Sequence, residues 1–421
     1  MVLRPKSARV VAFGVDGRKQ AGRAVMIAMR CGFLMSMALV VGLSQSAWPQ
    51  SKYGPGVSDT EIKIGQTMPY SGPASSYGTA GRTEAAYFTM LNEQGGINGR
   101  KIRLISLDDG YSPPKTVEQV RKLVEQEQVL LIFNPLGTAP NSAIQKYLNQ
   151  KGVPQLFLSS GASRFNDPKN FPWTMGWLPN YAVEGRAAAR FMTKERPDAK
   201  IAVLYQNDDL GKDYLGGIRQ GLGDKAKSTI VAEASFEVTD ATVDSQVISL
   251  KGADIFMNIA TAKFAAQAIR KAYDLGWHPK QYVISLSASI GAVLRPAGFD
   301  RSEGIYSGAL FRDPADPQMA NDRGVTDYLA FMKKYYPDGD PADLSNITGY
   351  SIAQTFVQVL RQAGNDFTRE NVMREAANLH ALALPMLLPG LAIDTSPADY
   401  EPLKSIAPVR FGDGRWSPLR D

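Results

Sequence analysis

Cysteine is nearly missing from this chain. Of 421 residues one is a cysteine, Cys31, and two are histidines, His278 and His380. Cys31 falls in an amino-terminal stretch that reads as removable, so the remainder offers no disulfide, no thiolate nucleophile and no cysteine zinc site. Two isolated histidines supply little metal or acid–base chemistry. His278, in GWHP between a helix and a strand, reads as a turn residue. Neither GxGxxG nor GxxxxGK[ST] occurs, which removes the standard nucleotide-phosphate cradles. Ser159, Ser160 and Ser163 lie in LSSGAS without the G-x-S-x-G elbow of a hydrolase. No enzymatic activity, metal or cofactor is therefore expected. Beyond the leader no apolar run reaches the roughly 18 residues that span a bilayer. An excess of charge is missing too. Residues 1–47 carry seven of the 47 Lys and Arg and one of the 41 Asp and Glu, which leaves forty of each sign in the rest. The basic overall balance thus gives no reason to expect a nucleic-acid partner.

What is present begins with that leader. Arg23 and Arg30 flank Met26 and Met29, an apolar stretch follows over 31–43, and the small residues Ser44, Ser46 and Ala47 close it. This is the pattern of a secretory signal peptide over 1–47, with translation starting at Met1, Met26 or Met29. It implies a periplasmic protein.

The body is organised around 61–111. Alternating apolar residues from Ile62 to Thr67 predict a strand, a Ser- and Gly-rich loop follows, and a helix over 79–94 stops at Gly95-Gly96. A second strand over 102–107 ends in Asp108-Asp109. The loop sits between the carboxyl end of a strand and the amino end of a helix, where ligands bind in open parallel sheets. The unit recurs, with helix 114–127, strand 129–133, helix 142–150 and strand 155–158. An aromatic, proline-rich segment over 170–181 reads as a crossover. A second series then runs through helix 182–193, strands 200–205, 230–235, 255–259 and 282–286, and helices from 214, over 244–250 and over 263–275. An extended return over 304–311, helices 325–335, 349–362 and 369–378 and a strand over 406–411 complete the chain. The fold class is α/β in two lobes, each an open, mainly parallel sheet flanked by helices.

The ordered loop motifs SGPASSYG, GGINGRKI, DDGYSPPK, NPLGTAPN, LFLSSGAS and YQNDDLGKDY, behind a signal peptide, resemble the type I periplasmic solute-binding proteins of the branched-chain amino acid class of ABC importers. The resemblance spans about residues 58–415. It implies the type I periplasmic-binding-protein fold with three hinge crossovers, lobe 1 from 58–177 plus 309–393 and lobe 2 from 178–308 plus 394–421. It further implies a monomer that traps a small ligand between the lobes and delivers it to a membrane permease. Carried over residue by residue, Tyr77 lines the cleft, Thr138 binds the ligand carboxylate, and Gly161, Ala162 and Ser163 give it N–H and hydroxyl groups. Such an anchor needs no buried cation.

The second lobe departs from the amino acid binders. Leu210 stands where many of them close a tyrosine over the ligand, and Thr242 where an acid pairs the ligand ammonium. A buried ammonium without a counter-charge is costly. Asp208, Asp240 and Asp244 are the acids that could substitute. Tyr205 to Leu210 and Thr242 would then select the side chain, and Trp177 and Tyr181 add aromatic surface. The expected ligand is an apolar or aromatic carboxylate, with a branched-chain amino acid as the alternative. A ligand sensor for a receptor would use the same scaffold; the absence of a membrane segment up to Asp421 favours a free carrier.

Overall fold

The computed structural model describes residues 53–419; the expected signal peptide lies outside the described residues. In chain order the elements are β1 (Glu61–Met68), α1 (Thr79–Glu93), β2 (Lys101–Asp108), α2 (Pro113–Arg121), β3 (Ile132–Phe133), α3 (Thr138–Lys151), β4 (Gln155–Leu158), β5 (Thr174–Gly176), α4 (Tyr181–Thr193), β6 (Ile201–Gln206), α5 (Asp209–Leu222), α6 (Ala226–Thr229) and β7 (Ile230–Phe236). They continue as α7 (Asp244–Leu250), β8 (Ile255–Ile259), α8 (Ala262–Asp274), β9 (Lys280–Val283), the single turns α9 (Arg295–Ala297) and α10 (Phe299–Ser302), and β10 (Tyr306–Ala309). The last are α11 (Arg323–Tyr335), α12 (Leu344–Gln362), α13 (Arg369–Ala376), β11 (Ala407–Gly412) and β12 (Arg415–Pro418).

The strands form two sheets. The first has the order β2-β1-β3-β4-β5 and is parallel throughout. The second has the order β12-β11-β10-β9-β8-β6-β7. It is parallel from β10 to β7 and ends in an antiparallel β10-β11-β12 edge. Parallel neighbours need crossovers, and here helices supply them and cover both faces. Central strands are accordingly apolar on both sides, as in the wholly buried run Ile201 to Leu204.

Each face has its own core. Phe88, Phe133 and Phe356 meet where α1 and α12 cover one side of the first sheet. On the other side Val120 of α2, Leu123 of the turn that follows it, and Ile144 and Leu148 of α3 pack together. In the second sheet α7 and α8 contribute Val247, Phe264 and Ile269, and α4 and α5 contribute Ala189, Leu215 and Ile218 to the opposite face. Helices α4 and α5 approach closely enough that a Cβ on Gly185 would lie 2.5 Å from the Tyr214 carbonyl.

The chain passes between the sheets after β5, after β10 and again before β11. The last two passages run side by side. Phe311 bridges Leu387 in antiparallel fashion, with Arg312 N–H on Met386 O at 2.9 Å and Leu388 N–H on Leu310 O at 2.8 Å. Among the described residues no helix is long and apolar enough to cross a membrane.

Several element ends differ from the sequence reading. Helix α3 begins at Thr138 rather than 142, α5 at Asp209 rather than 214, and α12 at Leu344 rather than 349. In each case the loop expected from polar residues is the first helical turn. Asp208 caps α5 and Asp343 caps α12 through their carboxylates, which is how a short acid starts a helix.

Candidate functional site

One cavity gathers the segments that follow the parallel strands. Tyr77 comes after β1, Tyr111 after β2, Leu136 to Thr138 after β3, Ser159 after β4, and Leu178 and Tyr181 after β5. From the second sheet come Leu210 after β6, Thr261 after β8 and Leu286 after β9, while Leu344, Ser345 and Thr348 reach in from the start of α12. The cavity is open on one side and holds about 580 Å³, the solvent at its mouth included. It lies where an open α/β fold places ligands, beyond the carboxyl ends of the strands.

Two tyrosines shape its floor. Tyr111 sits in the left-handed region at φ 61°, which turns its ring onto Gly137, where a Cβ would collide with it. Gly137 itself has φ 105°, so glycine is required there for conformation as well as space. The Tyr111 phenol meets the Thr138 N–H and the Gln206 side chain. Tyr181 lies against Gly161, with a Cβ there only 2.7 Å from its ring, and stacks on Tyr214 at a centroid distance of 4.8 Å. Its phenol meets the Gly161 N–H and the Ser160 and Thr138 hydroxyls. Those two hydroxyls are 2.8 Å apart, and Ser160 Oγ accepts the Ala162 N–H at 3.2 Å. Burial pushes both phenols above the ordinary tyrosine value, so both keep their protons.

Tyr77 spans the two halves. Its hydroxyl accepts the Ala262 N–H at the start of α8 at 2.8 Å, and burial raises its pKa to about 12. Other bonds join the halves around the rim. Arg164 pairs with Asp209 at 3.0 Å, the Ser163 N–H donates to Asp213 at 2.6 Å, Ser289 donates to Asp343 at 3.2 Å, and Arg295 pairs with Asp340 at 2.8 Å.

Among the described residues, none that lines this cavity carries a charge. Asp208, an acid close to both floor phenols, is committed. Its Oδ1 accepts the Leu210 and Gly211 N–H groups at 3.0 and 3.3 Å, and its Oδ2 the Gln206 amide at 2.6 Å. Behind the floor, Ser159 donates to Asn134 at 2.5 Å, and Asn134 donates to the buried Glu84. Gln66 gives Glu84 a second bond at 2.5 Å; burial nevertheless raises this carboxyl to about 8. The arrangement offers a small molecule neutral hydroxyl groups and apolar walls.

The family model described as periplasmic binding protein matches residues 61–413. The chain belongs to the periplasmic binding protein family. Its members bind solutes and are not enzymes. Among curated relatives, the Leu/Ile/Val-binding protein homolog 1 of Brucella suis is 24% identical over 348 residues, covering 80% of this chain and 85% of the relative. Among solved structures, a branched chain amino acid ABC transporter from Thermus thermophilus with bound valine matches with TM-score 0.77 at 16% identity, covering 87% of this chain and 97% of that one. A fatty acid ABC transporter substrate-binding protein from Thermomonospora curvata matches with TM-score 0.72 at 22% identity, covering 87% and 93%. Likeness at these identities establishes the type I fold.

Within this periplasmic binding protein the residues singled out by sequence separate into groups. Tyr77, Thr138, Tyr181 and Leu210 line the cavity together. Gly161 and Ala162 border a small side recess with Asn180 and Glu401 instead, because Tyr181 covers the Gly161 N–H. Ser163 turns to Asp213 and Asn180 and does not line the cavity. Trp177 is fully buried, its indole N–H on Thr355 at 3.1 Å, so it is core behind Leu178. Tyr205 packs into the core beside α4 and α5, and Asp208 is a helix cap. Thr242 is exposed and bonded to Asp244 at 2.8 Å, ahead of α7. Asp244 in turn pairs with Lys271, and Asp240 accepts the Glu237 N–H.

The sequence reading missed Tyr111 and the start of α12. Tyr111 had a usable signal, since it follows Asp108-Asp109-Gly110 in the same kind of post-strand loop as Tyr77. For Leu344, Ser345 and Thr348 the signal was Asp343, an acid ahead of an apolar helical pattern.

Proposed function

We propose that this chain is the solute-capturing subunit of an ABC importer, working as a periplasmic monomer that hands its ligand to a membrane permease. Its ligand is a small acid with an apolar or aromatic body, enclosed between the two halves. The observation that carries this reading is the neutral, hydroxyl-rich cavity floor. The phenols of Tyr111 and Tyr181 lie beside loop N–H groups and, kept protonated by burial, can donate to a carboxylate. Among the described residues no acid lines the cavity to balance an ammonium, so an α-amino acid would bury an unpaired charge. The branched-chain amino acid reading rests on the curated relatives and on Asp208, which stands close to both phenols. Binding favours the closed form because the ligand touches both halves.

The test is thermal unfolding of the protein from residue 53 against aromatic and aliphatic carboxylates, their amides, and leucine, isoleucine and valine. A ligand that binds only the folded state raises the midpoint. A rise with the acids and not with their amides supports the reading, and Tyr181→Phe should then weaken acid binding about tenfold or more. A rise with leucine or valine alone would transfer the site to amino acids.

A further inference from the structure

A second apolar chamber adjoins the first. It is an open recess of about 680 Å³, the solvent at its mouth included, and shares Leu178, Leu286, Leu344 and Thr348 with the first cavity. Beyond those side chains its surface is largely apolar, with Ile290, Leu310, Phe311 and Val409 among its lining. The two charged residues there are already used. Arg312 pairs with Asp322 at 3.1 Å and donates to the Pro385 and Leu387 carbonyls. Asp313 accepts the Ala315 and Trp416 N–H groups at 2.8 and 3.4 Å.

Apolar surface left facing water is unfavourable, and a ligand that covers it gains contact and hydrophobic free energy. An apolar recess that continues the first cavity along shared side chains offers such surface to a ligand extending out of it. We infer that the second chamber is a subsite for the apolar tail of the ligand. The substrate class is then an elongated monocarboxylate, head among Tyr111, Tyr181 and Thr138, body between Leu178, Leu286 and Leu344, tail against Leu310 and Phe311. This deepens the acid-binding reading and rests on it for the head group alone.

Isothermal titration with straight-chain monocarboxylates from four to twelve carbons, and with the matching primary amides, tests both parts separately. Each buried methylene contributes about fourfold in affinity. The expected result is a rise of about that size per carbon through the series for the acids, and a loss of the rise for the longer ones in Ala309→Phe, which narrows the second chamber. Tight binding of the short acids with a flat or falling trend beyond them overturns the tail subsite and leaves the acid reading standing. The same slope with amides as tight as acids supports the tail subsite and overturns the carboxylate head. No binding of either series overturns both.

Discussion

Glu84 on α1 and Glu184 on α4 are both buried carboxyls, one in each half, with no cation among the described groups that set their titration. Their surroundings differ. Glu184 takes hydrogen bonds from the Tyr214 and Tyr282 phenols at 2.8 and 2.9 Å, and from the Ser285 N–H and hydroxyl at 2.8 and 2.7 Å. Those partners sit on α5, on β9 and at the start of the turn that leads to Leu286, so one carboxyl ties three elements together. Glu84 has two amide partners, from β1 and from the loop after β3. Burial raises both acids, but four donors oppose the rise in Glu184 and two in Glu84. The same expensive group is thus a brace in one half and a titrating site in the other.

Glu184→Ala attacks the brace and carries the largest expected effect. It strands two phenols and the Ser285 N–H, at a cost of about 5 kcal/mol. Urea unfolding measures this; a loss below about 1 kcal/mol would show that the network relaxes and that the contrast between the two acids is not energetic.

The titrating site is tested by pH. The folded pKa of Glu84, about 8, lies above its ordinary 4.5. Below the ordinary value both states hold the proton and nothing changes. Between the two values the unfolded chain releases it first, so stability falls as pH rises, and above the folded value it levels off. The total is on the order of 5 kcal/mol. Unfolding free energies at pH 5, 7 and 9 should show this slope in the wild type and a much flatter one in Glu84→Gln. Equal slopes would assign the pH dependence elsewhere.

The smallest effect is expected at the rim. Arg164 and Asp209 are each nearly half exposed, and water screens such pairs, so Arg164→Ala should cost below about 1 kcal/mol. Its consequence for ligand capture should stay within about threefold in affinity, read by titration. A larger change would make this surface pair part of closure.

Much of the fold was legible because strand and helix periods alternate cleanly, and Gly95-Gly96, Pro154 and the polar loops punctuate them. The parallel sheets follow from that alternation. Helix starts were harder to read, since residues such as Thr138 or Ser345 suit a loop and a first turn equally until the cap is seen. In the site, Thr138, Tyr77, Tyr181 and Leu210 were legible from loop position. Thr242 was not, because whether a loop after an edge strand folds inward depends on packing: β7 is the outermost strand, and its following loop turns to cap α7. Tyr111 had the loop position of Tyr77, but its inward turn rests on a positive φ that is rare for a tyrosine.

The paired passages at Leu310 to Arg312 and Met386 to Leu388 have a mechanical consequence. Two strands joined by main-chain hydrogen bonds cannot slide past each other or counter-rotate without breaking them, yet they bend together at little cost. The first passage, at Leu178 and Pro179, is a separate single strand and adds a second pivot beside this ribbon. A ribbon and a pivot set side by side would confine any opening of the halves to a swing about one line, which the Tyr77 bond to Ala262 would resist.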